Sequence, residues 1–371
     1  MAKRYPLSNV AFFSIITTLL ALRHFFGDAF LGKTVLAAVG WSSFFLIESF
    51  GSVIVALFWS FITSITATES AKRGYPLIAS AAQFGAIIGS LPMLLPNLFG
   101  GIWILFLGVT IAVGSTIFVM RHFMRTIPER EQIGNKKAHE TEKQKEGFFY
   151  GMFSGVWLLM SRPYLFAVLI VSTFHEIISQ IIEYQMQSAA YIYPQFASET
   201  GFAYFQGIYG LGVNLLSFLM ALLGTSYLIK RFGLRFCLLI FPICLGIAFM
   251  SLYIFFQFGS PTPGQLLWAT FAVMIVAKGL GYAVNNPAKE IMYIPTSKDV
   301  KFKSKGWIDM FGSRTAKGTG AQVTNAFKHS IPELMVFGTM FSLGLTFIWI
   351  VAAFYVGTRN RRLIHEGKII E

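Results

Sequence analysis

Between Gly101 and Met120 the chain reads GIWILFLGVTIAVGSTIFVM, a run without a charged side chain. A helix needs about 20 apolar residues to cross the ~30 Å hydrocarbon layer. Inside that layer each backbone amide must be satisfied by the helix itself. Runs of this kind recur along the sequence and leave few alternatives. Only 13% of the 371 residues are charged and the mean hydropathy is +0.61, whereas a soluble domain carries about 25% charge. The runs are continuous, unlike the ~10-residue alternating segments of an outer-membrane barrel. The expected fold class is therefore all-α, a polytopic transmembrane helical bundle of about ten helices.

Four spans precede a long hydrophilic segment: about Asn9 to Phe30, Val35 to Thr66, Tyr75 to Leu95 and Gly101 to Met120. Six follow it: Tyr164 to about Met186, Phe202 to Ile229, Phe236 to Phe258, Leu266 to Asn285, Trp307 to Phe327 and Leu334 to Val356. The expected organisation is an N-terminal bundle over 1–120, a basic cytoplasmic linker over 121–163, a C-terminal bundle over 164–356 and a tail over 357–371. The N-terminus has no clear small-residue cleavage site and reads as a retained first helix.

Charge gives an independent check on the count. With Lys3 and Arg4 inside, every second connection should be basic. The inside segments hold Lys72 and Arg73, the seven Lys/Arg of 121–147, Arg162, then Lys230, Arg231 and Arg235. They continue with Lys289, Lys298, Lys301, Lys303 and Lys305, and end with Arg359, Arg361, Arg362 and Lys368. The outside segments hold only Lys33 and Lys328. Both termini are thus expected in the cytoplasm and the protein in the cell inner membrane. This inside bias accounts for the net charge of +13 without a nucleic-acid partner. The two cysteines, Cys237 and Cys244, read as small apolar filler.

Several classes of chemistry are missing. No G-x-x-x-x-G-K-[ST] occurs to cradle ATP for hydrolysis, and no H-E-x-x-H, C-x-x-C or G-x-S-x-G. An enzyme, a cofactor and a metal site are not expected. Energy for any transport would come from a gradient.

Ionisable residues inside spans are costly and tend to face a cavity or a partner. Glu48, in the second span, reads as a cavity residue or as the partner of a cation. In the fifth span Glu176, Gln180, Glu183 and Gln187 follow one another at spacings of 4, 3 and 4 and share a face. Such a stripe lines water, or else Glu183 and Gln187 lie beyond the outer interface. Lys278 can bind an anion or snorkel to the inner interface. The ninth span, WIDMFGSRTAKGTGAQVTNAF, puts Asp309, Ser313, Lys317 and Thr324 on one face, bordered by Arg314. Arg and Lys there suit phosphate, as a planar fork and a point charge; the other reading is a cytoplasmic gate holding Asp309. Arg23, Lys278, Arg314 and Lys317 together outnumber the immersed acids Glu48 and Glu176, which points to an anionic substrate.

Two stretches carry a resemblance. Lys289-Glu290-Ile291-Met292-Tyr293-Ile294-Pro295, Lys303-Ser304-Lys305-Gly306, Ile308-Asp309 and Ala316-Lys317-Gly318-Thr319-Gly320 follow one another in order. Upstream stands ESFGSVIVALFWSFITSITATESAKRGYPL, Glu48 to Leu77. Both are similar to signature segments of the ATP/ADP translocase family of obligate intracellular bacteria and plastids, and the resemblance extends over nearly the whole chain. It implies a major-facilitator-like bundle of twelve helices, of which the first two are missing here. It further implies exchange of ATP for ADP by alternating access, without hydrolysis. The motif carries Glu48 and Lys317 over as transport residues, and the acid after the central linker falls on Glu183 or on Glu176. Thr296-Ser297-Lys298-Asp299 departs from the family's usual Leu-Asp loop.

The expected function is a membrane nucleotide exchanger. The alternatives are a carrier for another organic anion on the same scaffold, or a truncated remnant that does not transport. The expected substrate-binding residues are Glu48, Glu183, Lys278, Arg314 and Lys317, with Glu176, Asp309 and Arg23 as gating or secondary residues. The expected partners are ATP, ADP and membrane lipid; nothing marks an obligate protein partner.

Overall fold

The structure is a computed structural model that describes residues 5–65, 78, 81–95, 102–126, 148–223, 225–281 and 285–370. Residues 127–147 of the expected linker lie outside the described residues, as does the side chain of Glu48. The described residues are overwhelmingly helical and form two compact units. One comprises Met1–Gln144 with Glu199–Ile208, the other Lys145–Ser198 with Tyr209–Glu371.

In the first unit, α1 (Tyr5–Phe26) packs on α2 (Asp28–Ile65) and on α4 (Ile102–Thr126), with α3 (Ala81–Leu94) between them in sequence. Phe13 and Ile16 are buried, and the Phe13 ring meets Phe50 edge-on at 5.4 Å. The Thr17 and Thr110 hydroxyls come within 3.1 Å, and each also bonds its own helix, at Phe13 O and Phe106 O. Gly27 (φ 81) and Gly32 (φ 69) supply the left-handed turns that separate α1 from α2 and kink α2 near its start. Asp28 and Lys33 therefore sit at a junction between apolar stretches.

The second unit is built around one helix. Its elements are α5 (Phe148–Ser161), α6 (Pro163–Ile192), most of α7 (Glu199–Leu223) and α8 (Thr225–Phe258). They continue with α9 (Pro263–Leu280), α10 (Asn286–Met292), α11 (Lys298–Trp307), α12 (Ser313–Ala326) and α13 (Ile331–His365). Helix α6 is the hub, touching α5, α9, α12 and α13. Its start is set by Pro163 at the first helical position after an extended Arg162. Leu165, Val168, Val171, Ile178, Ile181, Ile182 and Met186 are all fully buried. Two polar ties lock it. Gln185 Nε2 donates to Leu334 O (2.9 Å) and Met335 O (3.2 Å) of α13. The Tyr164 hydroxyl donates to Met292 O at 2.6 Å and accepts from Asn360 Nδ2 at 2.8 Å, which joins the ends of α6, α10 and α13. Paired in this way, the Gln185 Nε2, Tyr164 hydroxyl and Asn360 Nδ2 groups avoid the desolvation cost of an orphan.

Among the described residues six helices are long and apolar enough to cross a membrane. Three shorter apolar helices, Val10–Phe26, Thr34–Phe44 and Ala81–Leu94, fall in the first three expected spans. The expected ninth span is not among these: α12 is short and polar. Its neighbourhood also differs from the expected loop. Lys289–Lys305 is mostly helical, as α10 and α11, and α11 is capped by Ser297, whose hydroxyl accepts from Val300 N–H. The stretch from Phe148, expected inside the linker, is helix α5. The helix packs on α11, where a Cβ on Gly155 would come within 3.1 Å of Trp307 Cβ.

Beyond α13 the chain turns at Gly367 (φ 64) and returns to the α10–α11 connection. There Ile370 N–H donates to Pro295 O and Ser297 N–H to Ile370 O, both at 2.9 Å. Arg362 and Lys368 bracket Glu366 and lower its carboxyl to about 2, so the turn stays ionised at any physiological pH.

Candidate transport site

The four polar residues of the α6 stripe have a common environment. Glu176, Gln180, Glu183 and Gln187 are half-buried on a helix whose other faces are largely closed. The stripe carries two separate ionic groups, seven residues and thus about 10 Å apart along the axis.

The group at Glu183 is an ion pair. Lys278 Nζ lies 3.3 Å from Glu183 Oε2, and the two side chains are 22% and 27% exposed. Lys278 stands in the last turn of α9, where a cation is favoured by the helix dipole. Gly279, next to it, allows α7 to lean in, since a Cβ there would come within 2.2 Å of Leu216 Cδ2. Lys278 and Glu183, singled out separately by the sequence, are thus brought together.

The group at Glu176 surrounds a cavity of about 200 Å³. Three carboxylates line it, Glu176, Glu290 and Asp309, with two ammonium groups, Lys289 and Lys305, beside Tyr293, Ser172 and Ser313. Lys289 Nζ donates to Ser172 O at 3.2 Å and stands in the field of both Glu176 and Asp309. Lys305 pairs directly with Glu290. His175 is buried against Phe241 and Trp349, with Nδ1 3.8 Å from Glu176 Oε1 and Nε2 3.3 Å from Ser179 Oγ. In the sequence Lys289, Glu290, Tyr293 and Lys305 read as part of a loop, with no link to Glu176.

Between α11 and α12, Ile308–Gly312 forms a π turn, in which Ser313 N–H bonds the Ile308 carbonyl five residues back. Such a turn adds a residue to the helix and recurs at functional sites. It places Asp309 and Ser313 on the cavity. Helix α12 then seats a small-residue seam, Ala316, Gly320 and Thr324, toward the bundle. Arg314 and Lys317 are exposed, and Lys317 lies in the field of Glu176. The face expected to hold Asp309, Ser313, Lys317 and Thr324 together is therefore divided. Thr324 is buried, its hydroxyl bonded to Ala321 O, while the longer Lys317 side chain runs out beside the seam.

The two glycines of this motif have opposite settings. A Cβ on Gly320 would come within 2.9 Å of Ile177 O and 2.8 Å of Gln180 Cβ, whereas Gly318 has nothing within 4 Å. Gly320→Ala is expected to push α12 off α6 and cost about 1–3 kcal/mol, as overpacking does. Gly318→Ala should instead gain about 1 kcal/mol from helix propensity. Melting temperatures of the two purified variants in detergent should move in opposite directions.

Arg23, at the end of α1 in the first unit, pairs with Glu199 at 2.7 Å near the surface. Glu48 lies in α2, and the setting of its side chain is outside the described residues.

Long apolar helices with charged groups set into a half-buried stripe define a multi-pass helical membrane protein. The chain belongs to the TLC ATP/ADP transporter family, whose model matches residues 5–359. It is 27% identical to the chloroplastic ADP,ATP carrier protein 1 of Arabidopsis thaliana, over 96% of this chain and 59% of that one. It is 26% identical to ADP,ATP carrier protein 1 of Chlamydia pneumoniae, over 83% and 65%. To ADP,ATP carrier protein 3 of Rickettsia bellii it is 24% identical, over 80% and 66%. The chain thus spans roughly three fifths to two thirds of the length of these relatives. No solved structure matches it.

Proposed function

We propose that this protein exchanges ATP for ADP across the cell inner membrane by alternating access, without hydrolysis and with both termini in the cytoplasm. The observation that carries this reading is the arrangement of α6 and α12. A helix that exposes Arg314 and Lys317 is seated, through its glycine seam, on a hub helix with a half-buried acidic stripe. Family membership and relatives named as ADP,ATP carriers support it. In this reading Lys278, Arg314 and Lys317 hold the phosphates, as a fork and point charges. Glu183 completes this group, and Glu48 and Arg23, on helices of the first unit, are a further transport residue and a secondary one. The cavity has three carboxylates for two lysines, a poor balance for phosphate, so Glu176 and Asp309 serve there as members of a cytoplasmic gate. The helices of 1–120 and 164–356 form the two moving bundles, joined by 121–163, of which α5 is packed on the second bundle, and 357–371 is the cytoplasmic tail.

The test is uptake of labelled ATP by cells expressing the full chain, with a panel of competitors. Unlabelled ATP and ADP are expected to compete, and sugar phosphates and dicarboxylates are not. Equal competition by every organic anion would replace the nucleotide reading with a general anion carrier. Absence of uptake by correctly inserted protein would overturn transport by this chain.

A further inference from the structure

The Lys278–Glu183 pair has a consequence for how the proposed site empties. An ammonium group on a membrane-spanning helix is costly when unpaired. Here it is 22% exposed and its partner carboxylate stands at 3.3 Å. The pair lies within one unit, between α6 and α9, and each backbone is held independently of the ion pair. On one side Gln185, two residues after Glu183, ties α6 to α13. On the other, α9, whose last turn carries Lys278, packs along both α6 and α8. The two charges therefore meet because the helices put them together, and the ammonium group can change partner without the helices separating.

We infer that Glu183 is a stand-in for the substrate: it neutralises Lys278 while the site is empty and is displaced from it by a nucleotide phosphate. This rests on the reading of Lys278 as a phosphate ligand. A phosphate arriving at Lys278 brings its own negative charge beside Glu183. Binding must then overcome both the existing pair and the repulsion of the released carboxylate. Glu183 thereby weakens binding, and the same carboxylate speeds release by reclaiming the lysine. Its role differs from that of a ligand, whose removal lowers affinity.

The experiment measures ATP and ADP affinity by ligand-induced thermal stabilisation of the purified full chain, together with KM and kcat of exchange. Glu183→Gln is expected to tighten nucleotide binding about tenfold, equivalent to about 1.4 kcal/mol, while kcat falls because release slows. Glu183→Asp, which keeps a carboxylate on a shorter arm, should shift affinity in the same direction by less and retain more of kcat. It serves equally if the Gln variant does not fold. Unchanged or weaker binding in these variants overturns the inference. Lys278→Met separates this from the underlying reading. If it leaves affinity and KM unchanged, Lys278 does not hold phosphate and the site assignment itself fails. If it weakens binding while Glu183→Gln does not tighten it, only the exchange of partners fails.

Discussion

Lys317→Ala is expected to lower nucleotide exchange by on the order of 10²-fold while leaving the protein folded. The side chain is exposed beside the α12 seam, and the packing of that helix rests on Ala316, Gly320 and Thr324 rather than on Lys317. Removing it costs little apolar burial. What is lost is a point charge facing a multiply charged anion, a pair that the bound nucleotide itself covers from water. Truncating one partner of such a charge pair costs about 2–5 kcal/mol, and each 1.4 kcal/mol is tenfold. Lys317→Arg should keep part of the activity, because charge is retained although the planar fork sits differently. Exchange rates and melting temperatures measured on the same preparations check both halves of the statement. A variant with unaltered rates would remove Lys317 from the site.

Lys289→Met is expected to act in the opposite way, through the fold. The Lys289 ammonium group is bonded to Ser172 O and stands in the field of Glu176 and Asp309. Without it the cavity keeps three carboxylates against Lys305 alone. Removing the ammonium from this half-buried cluster, in which Glu290 and Asp309 still reach water, costs about 1.5–3 kcal/mol, the worth of a charge-assisted hydrogen bond. Melting temperature should therefore fall well below that of the parent. Neutralising a carboxylate as well, in Lys289→Met with Glu176→Gln, should recover part of the loss, since residues in one network are coupled by about 0.5–3 kcal/mol. Additive losses in that double variant would show that the two side chains do not sense each other.

Much of the fold was legible in the sequence because lipid imposes a simple rule. A backbone that crosses hydrocarbon must be helical and apolar for its whole length. The continuous runs around Ile102–Met120, Tyr164–Met186 and Leu334–Val356 therefore announced their helices, and α4, α6 and α13 occupy them. The polar segment Lys289–Lys305 was harder. Its many lysines read as a cytoplasmic loop, although Ser297 followed by Asp299 and closed by Lys305 is a capped helix with charges suited to its dipole. Charge density there hid a local signal that was present.

The site was legible in part. The spacing of Glu176, Gln180 and Glu183 marks one face of a helix, and that face is the half-buried one. Nothing local in the chain, however, states that Lys278 meets Glu183 or that Lys289 reaches Ser172 O. Those encounters depend on how α9 and α10 pack against α6, which side-chain periodicity does not encode. The π turn at Ile308–Gly312 is also invisible to a fixed 3.6-residue period. Thr324 shares the angular position of Lys317, yet a short side chain ends in the seam and a long one leaves it.

The most direct test of the account is counterflow in reconstituted vesicles. Vesicles containing the full chain and loaded with unlabelled ADP are placed in dilute labelled ATP. The account predicts rapid accumulation of label that requires internal ADP, is abolished by Lys317→Ala and proceeds without hydrolysis. Entry of label at the same rate into loaded, empty and protein-free vesicles would contradict it.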